Sequence, residues 1–335
     1  MIKRVLGRTG FEVTALGVGC YQCTGQFGVS PEQADRLMDF AMKSEINYFD
    51  TAMFYGFGES EELVARGLLN NPDKKAIVCD KIGHLDMSVS KIYGDEAYVN
   101  PMEIKRALKH SLWVLRRESF DLLMIHEAEW PAWYIDYDNG DSVIISVLEE
   151  LKKEGLIKAI GIGSWDIHTT AKLVNTGRID CVLCAGGINL LEKPIFDELI
   201  PASKICNAGV TVGACFGQNN PLLVSKDFSK LPDLLGSDDK RLVTMARKLK
   251  RLYEIADDLG IDMIEMAIRY ILSFDDIHCH APGARSDTHI RNNIEAANKG
   301  PLDKTLVEEI NAIQKMGSSL SSLELAGQIE SDIKI

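Results

Sequence analysis

Short apolar runs alternate with longer segments in which apolar residues recur every three or four positions, along almost the whole chain. The short runs are typical of buried strands, and the longer segments have the periodicity of amphipathic helices. The strands are predicted at residues 15–19, 46–50, 76–81, 121–126, 157–163, 180–185, 210–216 and 277–281. Eight strand–helix repeats without a break in composition predict an α/β fold, a (β/α)8 TIM barrel.

The segment before the first repeat has a pattern of its own. Two short apolar runs, at residues 5–6 and 13–14, flank a turn bounded by Gly7 and Gly10, which predicts a short N-terminal β-hairpin. A doubly wound open sheet is the competing topology, but the glycine pairs at 17/19, 56/58 and 161/163 all lack the third glycine of G-x-G-x-x-G. We therefore expect a single barrel domain over residues 1–320 and a C-terminal tail over 321–335.

Capping residues predict where several helices begin and end. Ser30 and Asn100, each followed by proline, begin the helices after the first and third strands. Ser60 is predicted as the N-cap of the helix after the second strand, and Gly209 as the stop of a helix over 194–206. With these boundaries, the polar residues that follow the strands fall in loops, where a barrel carries its active site.

Composition and charge exclude several classes of partner. Apolar residues make up 46% of the chain and charged residues 26%, an ordinary globular composition. A formal net charge of −12 argues against nucleic acid or an anionic membrane as a partner. No apolar run approaches the roughly 18 residues of a membrane span and no secretory signal is recognisable, so we expect a cytoplasmic protein. The sequence leaves the oligomeric state open.

Two C-x-x-C pairs, Cys20/Cys23 and Cys181/Cys184, have a spacing seen in metal and redox sites. Cys181 and Cys184 lie in a predicted strand, where residues three positions apart point to opposite faces and do not share a metal ion. The two pairs are also too far apart in sequence for an ordinary zinc ribbon. We expect buried thiols and no metal site.

Four ionisable residues fall at or just after the ends of three neighbouring predicted strands. Asp50 ends the second strand, Lys81 the third and His126 the fourth, and Tyr55 follows in the loop after Asp50. Each has an ordinary structural explanation when taken singly, as a capping, solvated or buried side chain. Together, at the carboxyl ends of adjacent strands, they predict one reactive site.

These four side chains suit the reduction of a carbonyl group. A proton donor must reach the carbonyl oxygen, and a free tyrosine with a pKa near ~10 is weak in that role. An ammonium group about 4 Å away favours the phenolate by roughly 4 kcal/mol at an effective dielectric constant of ~20. We therefore expect Tyr55 to be the acid/base and Lys81 to activate it. Asp50 is expected to keep Lys81 charged, and His126 to orient the substrate oxygen.

At these positions the sequence resembles the aldo-keto reductase family. Residues 48–61, YFDTAMFYGFGESE, are similar to that family's signature around its catalytic aspartate and tyrosine. Residues 78–83, VCDKIG, resemble its lysine strand, with Asp80 in place of a more usual threonine or serine, and residues 121–126 resemble its histidine strand. The resemblance covers roughly residues 3–298. It implies a catalytic tetrad, which consists of Asp50, Tyr55, Lys81 and His126.

The resemblance also implies a nicotinamide cofactor. The residues expected to contact it are Gly19, Asp50, Ser164, Gly283, Arg285, Ser286 and Asn293, and Phe216 is predicted to stack on the nicotinamide ring. The loops after the last strands are a barrel's usual phosphate site, and the helix after Ser286 offers N–H groups to an anion. Arg285 favours NADP(H) over NAD(H) if it meets a 2′-phosphate, although it is also explained as an exposed loop residue.

Substrate selection is expected from loops over the barrel mouth. The residues predicted to line the pocket are Tyr21, Phe54, Tyr55, His126, Trp130 and Trp165. The loop after the fourth strand is acidic, which disfavours anionic substrates and suits sugars. Residues 180–191 look most like the aldose and fucose dehydrogenase branch of the family. The predicted function is hydride transfer between NAD(P) and an aldehyde, a ketone or an aldose.

Two other functions remain open from the sequence. A catalytically idle, NADP(H)-binding regulatory module would keep the barrel and the cofactor loop, but the intact tetrad argues against it. A Schiff-base aldolase would use Lys81 as its nucleophile, but the Tyr55 and His126 partners argue against that chemistry.

Overall fold

The computed structural model describes residues 1–85, 95–216 and 221–319. Two antiparallel strands, β1 (Lys3–Val5) and β2 (Glu12–Thr14), form the expected hairpin. Eight parallel strands then form one sheet in chain order: β3 (Val18–Gly19), β4 (Tyr48–Asp50), β5 (Ile77–Ile82), β6 (Phe120–His126), β7 (Ile157–Ser164), β8 (Cys181–Ala185), β9 (Gly209–Gly213) and β10 (Cys279–His280).

The sheet closes on itself between its first and last strands. Leu16 pairs with His280, and Gly19 pairs with Gly283, in parallel bridges that join the two edges of the sheet. This close approach requires glycine, since a Cβ at Gly19 would lie 2.8 Å from the carbonyl oxygen of Ala281. The predicted barrel and its N-terminal hairpin are confirmed.

Helices cover the outside of the barrel. They are α1 (Pro31–Lys43), α2 (Glu59–Asn70), α3 (Pro101–Leu115), α4 (Val143–Lys153), α5 (Ile167–Asn175), α6 (Leu199–Cys206), α7 (Pro221–Val224), α8 (Leu231–Leu235), α9 (Lys240–Leu259), α10 (Met263–Leu272), α11 (Asp287–Asn298) and α12 (Lys304–Gln314). Ser30 and Asn100 cap α1 and α3 as predicted, because their side-chain oxygens accept N–H groups of the first helical turn.

Buried side chains form two layers, one inside the barrel and one between the sheet and the helices. Leu6 and Val13 of the hairpin segment belong to the interior layer and close the amino end of the barrel. Cys79 of β5 belongs to the same layer. Because side chains alternate along a strand, Lys81 shares this inward face of β5, whereas Asp80 faces the helices.

Two predicted helix boundaries are wrong. The N-cap of α2 is Gly58, and the predicted cap Ser60 is buried with its hydroxyl 2.7 Å from the hydroxyl of Thr51. The segment predicted as one helix over 194–206 is a 3-10 turn, Pro194–Phe196, followed by α6. That helix ends at left-handed Asn207, and the predicted stop Gly209 already begins β9.

The seventh strand of the barrel is shorter than predicted. β9 ends at Gly213, because Ala214 has a φ of +54° that turns the chain away from the sheet. Phe216, predicted to be the last strand residue, therefore lies beyond the strand. The direction of its side chain no longer follows from strand alternation.

All eight cysteines are free thiols. Cys181 lies in the barrel interior and Cys184 in the outer layer, so the strand does separate them. Within the described ranges, no group of three or more His, Cys, Asp or Glu side chains is placed to hold a metal ion, and no helix is long and apolar enough to cross a bilayer. The predicted tail lies outside the described residues, and the domain boundary at residue 320 stays a prediction.

Candidate active site

The exits of β4, β5 and β6 bring the four candidate catalytic residues to one end of the barrel. Asp50 and His126 are the last residues of β4 and β6, and Lys81 is the last but one of β5. Tyr55 opens a short 3-10 helix, Tyr55–Gly58, in the loop that leaves β4. All four come from the carboxyl ends of parallel strands, where barrels carry their reactive groups.

A tight turn directs Tyr55 back over the barrel. Gly56, Phe57 and Gly58 have φ values of 62°, 54° and 96°. At Gly56 a Cβ would lie 2.8 Å from the Cβ of Glu59, so this position has no room for a larger residue. The glycines of the predicted signature therefore build the turn that places the tyrosine.

Lys81 is the centre of the site. Its Nζ lies 2.6 Å from Asp50 Oδ1, 2.9 Å from the carbonyl oxygen of Thr51 and 3.1 Å from the hydroxyl of Tyr55. The lysine side chain is only 1% exposed. An ammonium group has three N–H donors, and here each of them has a protein oxygen as its acceptor in place of water.

Burial and charge act in opposite directions on this cluster. Burial by itself lowers the pKa of Lys81, but the charges of Asp50 and Tyr55 outweigh burial and raise it above the ordinary value. Burial raises the pKa of Asp50, against the attraction of Lys81. Burial also raises the pKa of Tyr55, and Lys81 opposes that rise without reversing it. Lys81 thus favours the phenolate as expected, but desolvation is the larger effect.

His126 lies beside Tyr55, with 5.5 Å between ring centroids and an angle of 81° between ring planes. Burial, followed by the charge of Lys81, holds the pKa of His126 well below its ordinary value. The imidazole is therefore neutral near neutral pH. Its Nδ1 is buried and has no hydrogen-bond partner in the described part of the chain.

Aromatic side chains line the mouth next to Tyr55 and His126. The ring of Tyr21 lies 4.8 Å from that of Tyr55, and the ring of Phe54 lies 6.5 Å from that of His126. Tyr21 is 41% exposed, so part of this wall faces solvent. The structure therefore brings Tyr21 and Phe54 to the candidate catalytic residues, as the sequence predicts.

His84 is a residue of this site that the sequence analysis missed. Its ring stacks on Phe54 at 3.9 Å and lies 5.2 Å from His126 and 4.9 Å from Trp130. Its Nε2 is 3.4 Å from a carboxylate oxygen of Glu127. His84 and Glu127 both have positive φ values, 51° and 52°, a strained conformation for such residues. The sequence feature that could have identified this residue is a histidine shortly after the third predicted strand.

The seam of the barrel and the start of α11 carry most of the predicted cofactor contacts. Gly19 and Gly283 meet at the seam. Ser286 caps α11 with its side chain, which leaves other N–H groups of the first turn for an anion. Arg285 is exposed beside this helix start, and Asn293 is buried on the same helix. An exposed cation, a helix N-terminus and a glycine-lined approach fit the phosphates of a dinucleotide.

Three other predicted contacts lie apart from this group. The hydroxyl of Ser164, at the end of β7, bonds to the backbone two residues later. Trp165 follows Ser164 and packs over Gly186, where a Cβ would lie 3.2 Å from its ring. Phe216 packs edge-on against His280 at 5.5 Å and belongs to the layer between sheet and helices. The stacking of Phe216 on a nicotinamide ring stays a prediction.

Comparison with known proteins identifies the family. The family model described as "Aldo/keto reductase family" matches residues 15–315 of the chain. The chain belongs to the aldo/keto reductase family. It is therefore an NAD(P)-dependent oxidoreductase.

Among aldo/keto reductases, the chain is similar to pyridoxal 4-dehydrogenase of Microbacterium luteolum, with 26% identity over 87% of this chain and 92% of that enzyme. It is 27% identical to a Pseudomonas D-threo-aldose 1-dehydrogenase over 71% of this chain and 78% of that enzyme. The solved structure of a Bacillus halodurans aldo-keto reductase in its holo form is 26% identical. That structure matches with a TM-score of 0.75 over 97% of this chain and 100% of its own.

Proposed function

We propose that this aldo/keto reductase transfers hydride between NAD(P) and an aldehyde, a ketone or an aldose, with Tyr55 as the acid/base. The observation that carries the proposal is the 3.1 Å contact between the hydroxyl of Tyr55 and Nζ of Lys81. Asp50, at 2.6 Å, fixes the charge and the position of that lysine. A tyrosine with only a structural role would not need a buried, fully bonded ammonium group at its hydroxyl.

In reduction, Tyr55 donates its hydroxyl proton to the substrate oxygen and becomes a phenolate. The charge forms 3.1 Å from Lys81, in a buried site where a fixed cation acts more strongly than it does in water. In the reverse direction, the phenolate accepts the proton of an alcohol. Because burial raises the pKa of Tyr55, the tyrosine rests as the protonated donor, and Lys81 makes its deprotonation accessible.

His126 orients the substrate oxygen toward Tyr55. A neutral imidazole can donate one hydrogen bond, and the low pKa of His126 ensures that it does not compete with Tyr55 as a proton donor. The edge-on arrangement of the two rings leaves both polar groups next to the same space at the mouth. Tyr55 therefore transfers the proton, and His126 positions the substrate oxygen.

A bound nicotinamide dinucleotide supplies or accepts the hydride. Arg285, Ser286 and Asn293 would hold its phosphate-bearing half at the start of α11, and the seam glycines would let it approach the backbone. Arg285 is exposed beside this helix start, which suits a bidentate contact with a 2′-phosphate and a preference for NADP(H). Ser164, at the end of β7, would contact the other half.

An aldose is the substrate class that this mouth suits best. The aromatic wall offers flat apolar surfaces for the C–H faces of a sugar, and the His84–Glu127 pair offers polar groups for its hydroxyls. A relative of this chain bears the name D-threo-aldose 1-dehydrogenase, which agrees with that choice. A Schiff-base aldolase is disfavoured because the raised pKa of Lys81 leaves almost no neutral amine.

Tyr55→Phe tests the proposal. The variant loses the transferable proton but keeps the ring, so we expect kcat to fall by about 10²–10⁴-fold while binding of NADPH, measured by fluorescence titration, is retained. Tyr134→Phe is the matched control, because Tyr134 is 65% exposed and lies outside the cluster. Turnover is followed at the nicotinamide absorbance with aldoses, aldehydes and ketones.

Retained turnover in Tyr55→Phe would remove Tyr55 from the acid/base role. Nicotinamide binding without turnover of any carbonyl or alcohol in the wild-type protein would instead favour the idle, cofactor-binding module. Trapping of substrate on Lys81 by borohydride would favour the aldolase.

A further inference from the structure

Two acidic side chains lie buried against each other on the outer face of the barrel wall, behind Lys81. Asp80 precedes Lys81 in β5, and Glu61 comes from the first turn of α2. Both residues are 0% exposed. Asp80 Oδ2 and both carboxyl oxygens of Glu61 lie outside ideal hydrogen-bond geometry, although the two side chains interact with each other and with Ser111 of α3.

The remaining oxygen of Asp80 has a defined partner. Asp80 Oδ1 accepts the backbone N–H of Lys81 at 2.9 Å. In a regular parallel ladder this N–H would bond to the neighbouring strand. The ladder of β4 and β5 ends where the N–H of Thr51 bonds to the carbonyl of Cys79 at 2.8 Å. Its next bond would run from the N–H of Lys81 to the carbonyl of Thr51.

The carbonyl of Thr51 is bonded to the side chain of Lys81 instead, at 2.9 Å from Nζ. Asp80 thus supplies the acceptor that the ladder would have supplied to the Lys81 N–H. The carbonyl of Thr51 therefore stays available to Nζ of Lys81 and helps to hold it beside Tyr55. Without an acceptor on residue 80, the buried N–H of Lys81 would turn to that carbonyl, which would then be shared between two donors and would hold Nζ less firmly.

A proton shared between the two acids makes this arrangement stable. The groups that act on the pair are Asp50 of β4, Lys81 of β5 and the hydroxyl of Ser111 on α3. Burial, followed by the charge of Asp80, raises the pKa of Glu61 well above its ordinary value. Burial raises the pKa of Asp80 to about 7, and the contacts with Lys81 and Glu61 oppose that rise. Glu61 is therefore the proton donor of the pair.

We propose that Asp80 is a positioning residue for Lys81: its Oδ1 accepts the Lys81 N–H so that the carbonyl of Thr51 can fix Nζ against Tyr55. This inference rests on the proposed function, because it assigns the placement of the ammonium group on which Tyr55 depends. It gives a role in the reaction to a carboxyl group that never touches the substrate.

The comparison of Asp80→Ala with Asp80→Asn tests the proposal. Asp80→Ala removes the acceptor, so the N–H of Lys81 turns to the carbonyl of Thr51, and Nζ has to share that carbonyl with a second donor. We expect kcat to fall about tenfold, with KM for the nicotinamide cofactor unchanged. The alkaline limb of the pH profile should move down by about one unit, because a less well bonded Lys81 has a lower pKa. Asp80→Asn keeps a side-chain oxygen and should restore both quantities to within about threefold.

Asp121→Asn is the control, because Asp121 is also buried and also accepts a β5 N–H, that of Val78 at the opposite end of the strand. It should change thermal stability without moving the pH profile. An equal loss of kcat in Asp80→Ala and Asp80→Asn, or an unmoved alkaline limb in Asp80→Ala, would overturn the proposal. If Asp80→Ala does not fold, Asp80→Leu combined with Glu61→Met makes the same comparison with an apolar pair of similar volume.

A readout without turnover separates this inference from the proposed function. Crystal structures of the wild-type protein and Asp80→Ala show directly whether the Lys81 N–H moves to the carbonyl of Thr51. An N–H that stays away from Thr51 in the variant overturns the positioning role even if Tyr55 proves to be the acid/base. A bond that forms as expected supports the positioning role even if the substrate class is wrong.

Discussion

The buried aspartates at the amino end of the barrel are each held between two cations, whereas those at the carboxyl end depend on a single lysine. Asp121 and Asp180 stand at the starts of β6 and β8, and Asp50 and Asp80 near the ends of β4 and β5. All four are surrounded by the same barrel wall. The two ends therefore differ in which charged side chains lie beside the aspartates, and not in how deeply the aspartates are buried.

At the amino end, each aspartate also accepts a strand N–H. Asp180 accepts that of Ile160 at 2.8 Å and pairs with Arg8 at 3.1 Å and with Lys152. Asp121 is paired in the same way with two cations, each at 2.8 Å, which are Arg117 and Lys158. Because these cations reach solvent, the amino end is neutralised at little desolvation cost. It is an arrangement that stabilises the fold.

At the carboxyl end, the buried acids Asp50, Asp80 and Glu61 outnumber their one cation, Lys81, in the described part of the chain. On the inner face, Lys81 contacts both Asp50 and Tyr55. On the outer face, Asp80 lies beside a second acid, Glu61. Non-glycine residues with positive φ follow the strands here, at positions 57, 84, 127 and 214. Such residues are more numerous at this end, where the chemistry is proposed, than at the opposite end, where Arg116 and Asn207 have positive φ values before β6 and β9.

Lys81→Met is the strongest way to test this contrast. It leaves Asp50 buried without its cation, so we expect about 3–5 kcal/mol less free energy of unfolding. We also expect kcat/KM to fall by about 10²–10³-fold, measured with the best carbonyl substrate. The double variant Asp50→Asn/Lys81→Met should regain most of the stability in urea unfolding but none of the activity. Recovery of both together would mean that Lys81 has a structural role only.

Asp180→Ala probes the amino end. It leaves the N–H of Ile160 without its acceptor, so the free energy of unfolding should fall by about 1–3 kcal/mol. The values of kcat and KM should stay within about twofold, because the change lies at the end of the barrel remote from Tyr55. A large loss of kcat at unchanged folding would show that the two ends are coupled.

The pH dependence of stability is the most specific of the expected effects. The folded-state pKa values of Asp80 and Glu61 lie above their unfolded values, so their protonated forms favour folding. Stability should therefore decline as pH rises from about 4 toward 7, by up to about 1.4 kcal/mol per pH unit for each proton lost. Glu61→Gln should flatten the curve and Asp121→Asn should not, when urea unfolding is compared across this range. Parallel curves for wild type and Glu61→Gln would contradict the shared proton.

Strand periodicity was sufficient to predict the barrel and the position of Lys81. Side chains alternate on a strand, but the run before Lys81 has apolar residues on both faces, so its inward direction is known only from the structure. The loop residues were harder to place. His84 reaches the site because the chain after β5 takes up a positive φ, and no pattern of apolar positions records such a turn. Phe216 was misplaced in the strand for the same reason, since Ala214 ends β9 early.

The pKa shifts at the site depend on how deeply each group is buried, which cannot be predicted from the sequence. A lysine near a tyrosine suggests a lowered tyrosine pKa, yet burial reverses the sign at Tyr55. Glu61 ends the signature over residues 48–61, and only the rotation of α2 against β5 buries it beside Asp80. Depth and helix rotation are properties of the packed molecule, so they had to be read from the structure.

The hairpin residues Leu6 and Val13 close the amino end of the barrel, and the barrel interior is filled with side chains. Small molecules therefore reach the candidate catalytic residues from the carboxyl end. Entry and exit then share one route, so product has to leave before the next substrate can enter, and product release can limit turnover.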